Sequence, residues 1–494
     1  MLFNSLTFLI FFPICVGLFF IVPKKVRVYF LLLCSLCFYM CWNVSYVLLL
    51  IASILVTYTA GRLIYKFNDN VKAKKLTVAA SLFVNFGILF VFKYFNFFAD
   101  TLNKIFPGNE GNRFVTLNLL LPVGISFYIF QAVGYTIDVY RGAECERNIA
   151  KYALFVSFFP QLVAGPIERS KNLLKQISNL QTRKVFDKDM IVSGFLTMLY
   201  GYFMKMMIAD RAAVLVNTVF DAAGYSNYSG FEVLLAAILF SVQIYGDFAG
   251  YTYIAIGAAR VMGFTLCENF NAPYLAMDIK DFWNRWHISL STWFKDYLYF
   301  PLGGSRKGKV RKYINIFIVF TVSGLWHGAA WHFVAWGVLH GIFRIVGEIT
   351  KDIRIKISKA LHYNTDCFSH KVLRVITTFL TVTVLWMFFR AESVSMTLSM
   401  LGNMIKGFGL WQLTDNSLLN LGLDAKEMNV LVISVAFMCI MDIFKRRGKD
   451  VNALIMKQNV WFKFFIMLFG ILAIVVFGIY GKAYNAADFI YFRF

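Results

Sequence analysis

Twelve apolar stretches separated by short polar loops constrain this chain more than any other feature. They cover residues 5–22, 28–42, 44–65, 77–98, 117–140, 190–216, 231–263, 313–331, 333–349, 375–390, 428–444 and 464–482. About 20 apolar residues in a helix span the hydrocarbon of a bilayer. A water-soluble core cannot bury a dozen such runs, and with 59% of residues apolar and 15% charged there is too little polar surface to cover them. The sequence therefore predicts an all-α, polytopic transmembrane helical bundle of about 12 spans, with residues 1–494 forming a single integral-membrane domain. No repeat or linker sets off a soluble part. The longest loop expected outside the membrane, 391–428, is too short for a catalytic domain of usual size. The first stretch lacks a basic flank and a small-residue cleavage site, so it reads as a retained helix, not a signal.

The net charge of +22 is not laid out as a nucleic-acid face. It comes in clusters between apolar runs: Lys24, Lys25 and Arg27; Lys66, Lys72, Lys74 and Lys75; Arg306 to Lys312; Lys351 to Lys359; Lys445 to Arg447. Such clusters mark cytoplasmic loops against anionic lipid headgroups. They place both termini outside, and they make membrane lipid, not nucleic acid, the expected partner.

Two segments do not read as simple spans. "ALFVSFFPQLVAGPIERS" (153–170) is short, contains Pro160 and Gly165-Pro166, and is flanked by positive charge, which predicts a re-entrant segment near 152–168. In "DIKDFWNRWHISLSTWFKDYLYFPLGGSRKGK" (278–309), Phe282, Trp283, Trp286, Leu290, Trp293 and Phe294 recur at helical spacing. This predicts an amphipathic helix near 280–300 on the cytoplasmic side.

Ionisable groups within spans are costly and therefore candidates for function. Asp138 and Arg390 lie near span ends, and Lys205 has Asp210 as a candidate ion-pair partner. Asp247 sits among Gly246, Ala249, Gly250, Gly257 and Ala258, small residues that allow close helix packing and a bond to a neighbouring helix. Residues 324–341, "GLWHGAAWHFVAWGVLHG", hold three of the six histidines. On one helix, at about 100° per residue, His327 and His332 would point about 140° apart and His340 elsewhere again. No shared metal site is expected. His332 and His340 read as packing residues, whereas Gly328 leaves room beside His327, where a neutral imidazole can act as a general base. Cys34-Ser-Leu-Cys37 lies inside a span and reads as packing.

Several segments together carry a resemblance. "LPVGISFYIFQAVGYTIDVYRG" (121–142), "SFFPQLVAGPIERS" (157–170), "DFAGYTYIAIGAARVMGF" (247–264), "NFNAPYLAMDIKDFWNRWHISLSTWFKDYLYFPLGGSRKG" (269–308), "SGLWHGAAWHFVAWGVLHG" (323–341) and the terminal "DFIYFRF" (488–494) resemble the membrane-bound O-acyltransferase family. Within it they look most like the branch that acetylates bacterial exopolysaccharide and peptidoglycan. This resemblance implies a multi-pass enzyme of the bacterial cytoplasmic membrane with a tunnel to a central histidine. It assigns the essential histidine to His327 and a second active-site histidine to His287. It implies acetyl-CoA as the donor, entering from the cytoplasm, and a polysaccharide acceptor reached through an exported SGNH-type partner. In that reading His327 takes the proton of an acceptor hydroxyl, and His287 orients the donor or stabilises the oxyanion. Trp283, Asn284, Trp286, Trp326 and Asp247 would contact substrate, and Arg285, Lys295, Arg306 and Lys307 the phosphates of coenzyme A. Two alternatives remain: D-alanyl transfer from a carrier protein to teichoic acid, and a transporter or channel in which the buried histidines relay protons.

Overall fold

The computed structural model describes residues 1–106, 114–163, 165–220, 227–413, 415, 417–480 and 490. Of the terminal motif 488–494, only Ile490 falls within the described residues. These residues contain helices and no strand. Seven helices are long and apolar enough to cross a membrane: Tyr46–Lys66, Val71–Ile105, Lys188–Phe220, Gly230–Val261, Phe368–Arg390, Ala425–Arg446 and Val460–Phe477. A bent pair, Trp331–Ile349 with Lys351–Ala360, is an eighth candidate.

The other expected spans end differently. Leu6–Ile21 and Arg27–Met40 are shorter apolar helices. The stretch 117–140 is helical only over Ile125–Tyr140. The helix Gly308–His327 begins with Lys309, Arg311 and Lys312 in its first turns and is not among the seven. The expected outer loop 391–428 carries a helix of its own, Val394–Lys406.

The chain divides into two compact units: Met1–Met198 with Ile254–Cys267, and Leu199–Tyr253 with Glu268–Phe494. In the first unit the expected re-entrant segment is broken. Helices Ile149–Ser157 and Phe159–Leu162 meet at Phe158, and residues 152–163 are nearly all buried. Polar side chains from other helices pair the backbone groups at the break. Phe159 N–H donates to Ser35 Oγ at 3.2 Å, and Gln131 Nε2–H donates to Phe155 O at 2.5 Å. Broken backbone at membrane depth is tolerable only when it is paired in this way. In the same unit Gly194 faces Gly257 closely. A Cβ on Gly257 would lie 2.5 Å from Gly194 O, so the small residues singled out in the sequence do set a tight helix crossing.

In the second unit α1 (Leu199 onwards in Lys188–Phe220) and α2 (Gly230–Val261, to Tyr253) repeat this packing, where a Cβ on Gly250 would meet Gly201 O at 2.9 Å. Beside that contact α1 widens into a π turn, Phe203–Ala209. There Lys205 Nζ lies 2.8 Å from Asp210 Oδ1 and 2.7 Å from Asp247 Oδ1 of α2, all three side chains being buried. Next come two short helices, α3 (Ile279–Trp283) and α4 (Ile288–Phe294), then α5 (Gly308–His327), α6 (Trp331–Ile349) and α7 (Phe368–Arg390). The continuous helix expected near 280–300 is thus divided at residues 284–287.

Helices α5 and α6 form a hairpin whose approach is set by glycine. A Cβ on Gly324 would run into Phe333 O, and one on Gly337 into Phe320 O. Gly337→Val should therefore lower the thermal midpoint of the detergent-solubilised protein by the equivalent of about 3 kcal/mol. Gly347→Ala, on the same helix but facing open space, should leave the midpoint unchanged or raise it by up to about 1 kcal/mol; scanning fluorimetry on both variants checks this.

Candidate active site

His287 occupies the break between α3 and α4. Its backbone sits at φ +45°, ψ +54°, the left-handed region that non-glycine residues seldom adopt. A paired segment holds it there: Asn271 N–H donates to Arg285 O and Ile288 N–H to Asn269 O, each at 2.9 Å. The Asn269 side chain completes the clamp. Its Oδ1 accepts from Ser289 N–H at 3.2 Å and from Ser289 Oγ–H at 2.9 Å, and it faces His287 Nδ1 at 3.1 Å. A backbone N–H can only donate, so the amide atom at this point is oxygen. Nδ1 of His287 therefore carries the proton, which puts the lone pair of the neutral ring on Nε2. Burial pushes the imidazole pKa down to about 3, so the ring stays neutral throughout the physiological range.

His327 is the last residue of α5, buried, and it precedes an extended Gly328. The one-helix geometry assumed for the three histidines does not hold, because residues 328–330 interrupt the helix before α6 begins. Nor does Gly328 open room beside the imidazole. A Cβ there would strike the ring of Phe333, so the glycine makes way for that ring. His327 is enclosed by Trp326, Trp336 and Phe389, at ring-centroid distances of 4.9, 5.0 and 5.4 Å. Trp326 also lies 6.0 Å from His287, so one indole stands beside both imidazoles. The two histidines singled out from sequence are thus brought together, forty residues apart in the chain.

The remaining expected residues divide. Trp286 is fully buried, packed on Phe270 at 5.0 Å and Trp386 at 5.1 Å, and forms a wall. Trp283 donates its indole N–H to His340 Nδ1 at 3.2 Å. Arg285 is engaged within the chain, by Asp281 at 2.7 Å and Asn271 O at 3.1 Å, and this ties it to the clamp segment. Asn284 is exposed, as are Arg306 and Lys307 in the turn before α5. The carboxylate of Asp247 is engaged within the chain. It pairs with Lys205 and accepts Ile490 N–H at 2.7 Å, and it is the next residue, Phe248, that reaches His287, at 4.7 Å. His332 donates from Nδ1 to Phe388 O at 3.0 Å, as a packing residue should. Asn269, Trp336 and Phe389 were not singled out from sequence. "NFNAPY" offered a polar residue before the histidine block, but nothing in its spacing showed that Asn269 would fix a tautomer.

The sequence profile described as "MBOAT, membrane-bound O-acyltransferase family" matches residues 36–389. The chain belongs to this family. It is a multi-pass membrane O-acyltransferase. A "Probable alginate O-acetylase AlgI" of Pseudomonas syringae pv. tomato is 36% identical over 453 residues, covering 91% of this chain and 84% of that protein. A "Peptidoglycan O-acetyltransferase" of Helicobacter pylori is 35% identical over 403 residues, 76% of this chain and 73% of that protein. A "Teichoic acid D-alanyltransferase" of Bacillus subtilis is 31% identical over 235 residues, covering only 46% of this chain and 58% of that protein.

Two outcomes follow from the clamp. Asn269→Leu, which removes the acceptor for His287 Nδ1–H, should cut the acyl-transfer rate by about 100-fold, whereas Asn269→Asp keeps an acceptor and should lose much less; initial rates on purified variants decide. The depressed pKa of His287 also has a sign for stability. The unfolded ring, with an ordinary pKa near 6.5, binds a proton that the folded ring refuses, so stability is complete above that value and falls as pH drops towards 3. The His287 contribution should be about 1.4 kcal/mol per pH unit in that window, visible as a shallower acid limb for His287→Gln in denaturation midpoints measured from pH 7 to 4.

Proposed function

We propose that this O-acyltransferase takes acetyl groups from cytoplasmic acetyl-CoA and passes them across the membrane for O-acetylation of a cell-envelope or secreted polysaccharide, through an exported SGNH-type partner, in a bacterial cytoplasmic membrane. The observation that carries the chemistry is the pair of buried imidazoles that both stand beside Trp326. The similarity to alginate and peptidoglycan acetylating proteins over most of the chain favours acetyl over D-alanyl transfer, since the D-alanyltransferase match covers less than half of it. A proton-relay transporter is not favoured, because the family is one of acyltransferases.

In the reaction, His327 accepts the proton of the acceptor hydroxyl while its oxygen attacks the thioester carbonyl carbon. The carbon–sulfur bond then breaks, and His327 passes the proton to the departing sulfur, so that coenzyme A leaves as the thiol. One expected role is revised. A neutral His287 with its proton on Nδ1 presents a lone pair on Nε2, so it cannot donate to an oxyanion. Its lone pair serves instead as an acceptor for a neighbouring donor group of the acceptor substrate, which orients the reacting hydroxyl while the proton of that hydroxyl goes to His327. The exposed Arg306 and Lys307 are the cations available to the phosphates of coenzyme A.

With purified protein, an SGNH-type partner and labelled acetyl-CoA, the wild type should release free coenzyme A and label the acceptor. His327→Ala should lower this by at least about 1,000-fold. Acetyl-CoA left intact by the wild type, or label accepted only from an alanylated carrier protein, would overturn the reading.

A further inference from the structure

The proposed chemistry needs a hydrogen-bond donor for the carbonyl oxygen, and the proton placement on His287 removes the histidine expected to supply it. A donor exists elsewhere in the same unit. Trp283 Nε1–H, which can only donate, is bound to Nδ1 of His340, so the proton of the neutral His340 ring is on Nε2. His340 is fully buried, and this Nε2–H finds no acceptor among the described residues. Phe282 and Phe320 lie nearly parallel to the ring, at 6.3 and 6.4 Å between centroids, and neither offers an acceptor. Trp336 lies next to it at 4.9 Å, is itself fully buried, and likewise has an indole N–H with no acceptor among the described residues. The same indole stands 5.0 Å from His327. Two unsatisfied donors, adjacent and deep in an aromatic enclosure, are expensive to keep unless something docks on them.

We propose that Trp336 Nε1–H and His340 Nε2–H form a binding site for an oxygen of the acyl donor, with Trp336 serving the carbonyl beside His327 and His340 extending the site one ring further. The inference rests on the acyl-transfer reading above. Both groups are neutral donors in a water-poor enclosure, where they stabilise a developing oxyanion without having to reorganise. The site takes a neutral, oxygen-bearing acyl thioester. Each donor stays protonated, and proton transfer is left to His327. His340 is thereby more than a packing residue: its Nδ1 holds Trp283 and its Nε2–H faces substrate.

The two roles of His340 separate by substitution. The amide nitrogen of glutamine reaches the Nε2 position, and asparagine replaces Nδ1 only. In the labelled acetyl-CoA assay, His340→Gln should stay within about fivefold of wild type in kcat/KM, and His340→Asn and His340→Phe should fall by about 100-fold. Trp336→Phe, which keeps a ring and loses the N–H, should fall at least about tenfold. Activity retained by His340→Asn and lost by His340→Gln would show that His340 only holds Trp283. Equal rates for all three His340 variants, whether high or low, would show packing alone, and an unimpaired Trp336→Phe would remove Trp336 from the site. A wild type that leaves acetyl-CoA intact overturns the function reading and this inference with it. A wild type that consumes it while His340→Phe keeps the wild-type rate overturns the inference alone.

Discussion

Hydrocarbon offers no water to a backbone N–H or C=O, and this one constraint governs where the chain can stop being helical. Each unpaired buried group costs about 1–3 kcal/mol, so a break inside the protein requires polar side chains brought from elsewhere. At Phe158 the partners are Ser35 and Gln131, which take up Phe159 N–H and Phe155 O. At His287 the partner is the 269–271 segment, and its Asn269 oxygen serves both the Ser289 backbone and the histidine ring. The second case shows how a packing requirement becomes a functional device. An oxygen placed to satisfy a broken helix also decides which nitrogen of the neighbouring imidazole holds the proton.

The same scarcity of water governs the buried charges. Lys205 and Asp210 lie five residues apart, a spacing that an α-helix does not bring onto one face but a π turn does. With Asp247 joining from the next helix, one ammonium meets two carboxylates, and the second oxygen of Asp247 takes the Ile490 N–H. Removing any one partner would strand the others away from solvent, which costs far more than the pairing itself gains. The glycines of both helices make this contact, because only their missing side chains let the two backbones approach closely enough for a lysine to be shared.

Much of this was legible in the sequence, and the limits follow from physics. The helical class, the broken segment at Pro160 and Gly165, the Lys205–Asp210 pair and the tight crossing at Gly250 and Gly257 rest on local pattern, and local pattern survives into the fold. The pairing of His287 with His327 came through family resemblance, since no periodicity connects them. What misled was continuity. Trp283 to Tyr297 has a helical period, yet the helix breaks at residues 284–287 because the 269–271 backbone captures the freed groups. Likewise, the histidines of residues 324–341 read as if on one helix, but Gly328 yields to the Phe333 ring and ends α5. Arg285 and Asp247 carried charge in suggestive places; Arg285 is engaged by Asp281, four residues before it, and Asp247 by Lys205 of the neighbouring helix, which only the tertiary fold shows.

Tautomers were beyond the reach of any sequence argument, and the chemistry turns on them. A neutral imidazole in a dry site presents either a lone pair or an N–H, and the bond at its other nitrogen decides which. His287 gives its Nδ1 proton to an amide oxygen and so presents a lone pair. His340 receives an indole N–H at Nδ1 and so presents a donor. Acyl transfer asks for both kinds at once, an acceptor on the side of the hydroxyl and a donor on the side of the oxygen that gains charge. Two histidines identical in the sequence are made opposite by an asparagine and a tryptophan. The same reasoning explains why the enclosure is aromatic and not simply aliphatic. Indoles bring donors that cannot accept, so each one they engage fixes a proton position without adding a charge that the bilayer would penalise.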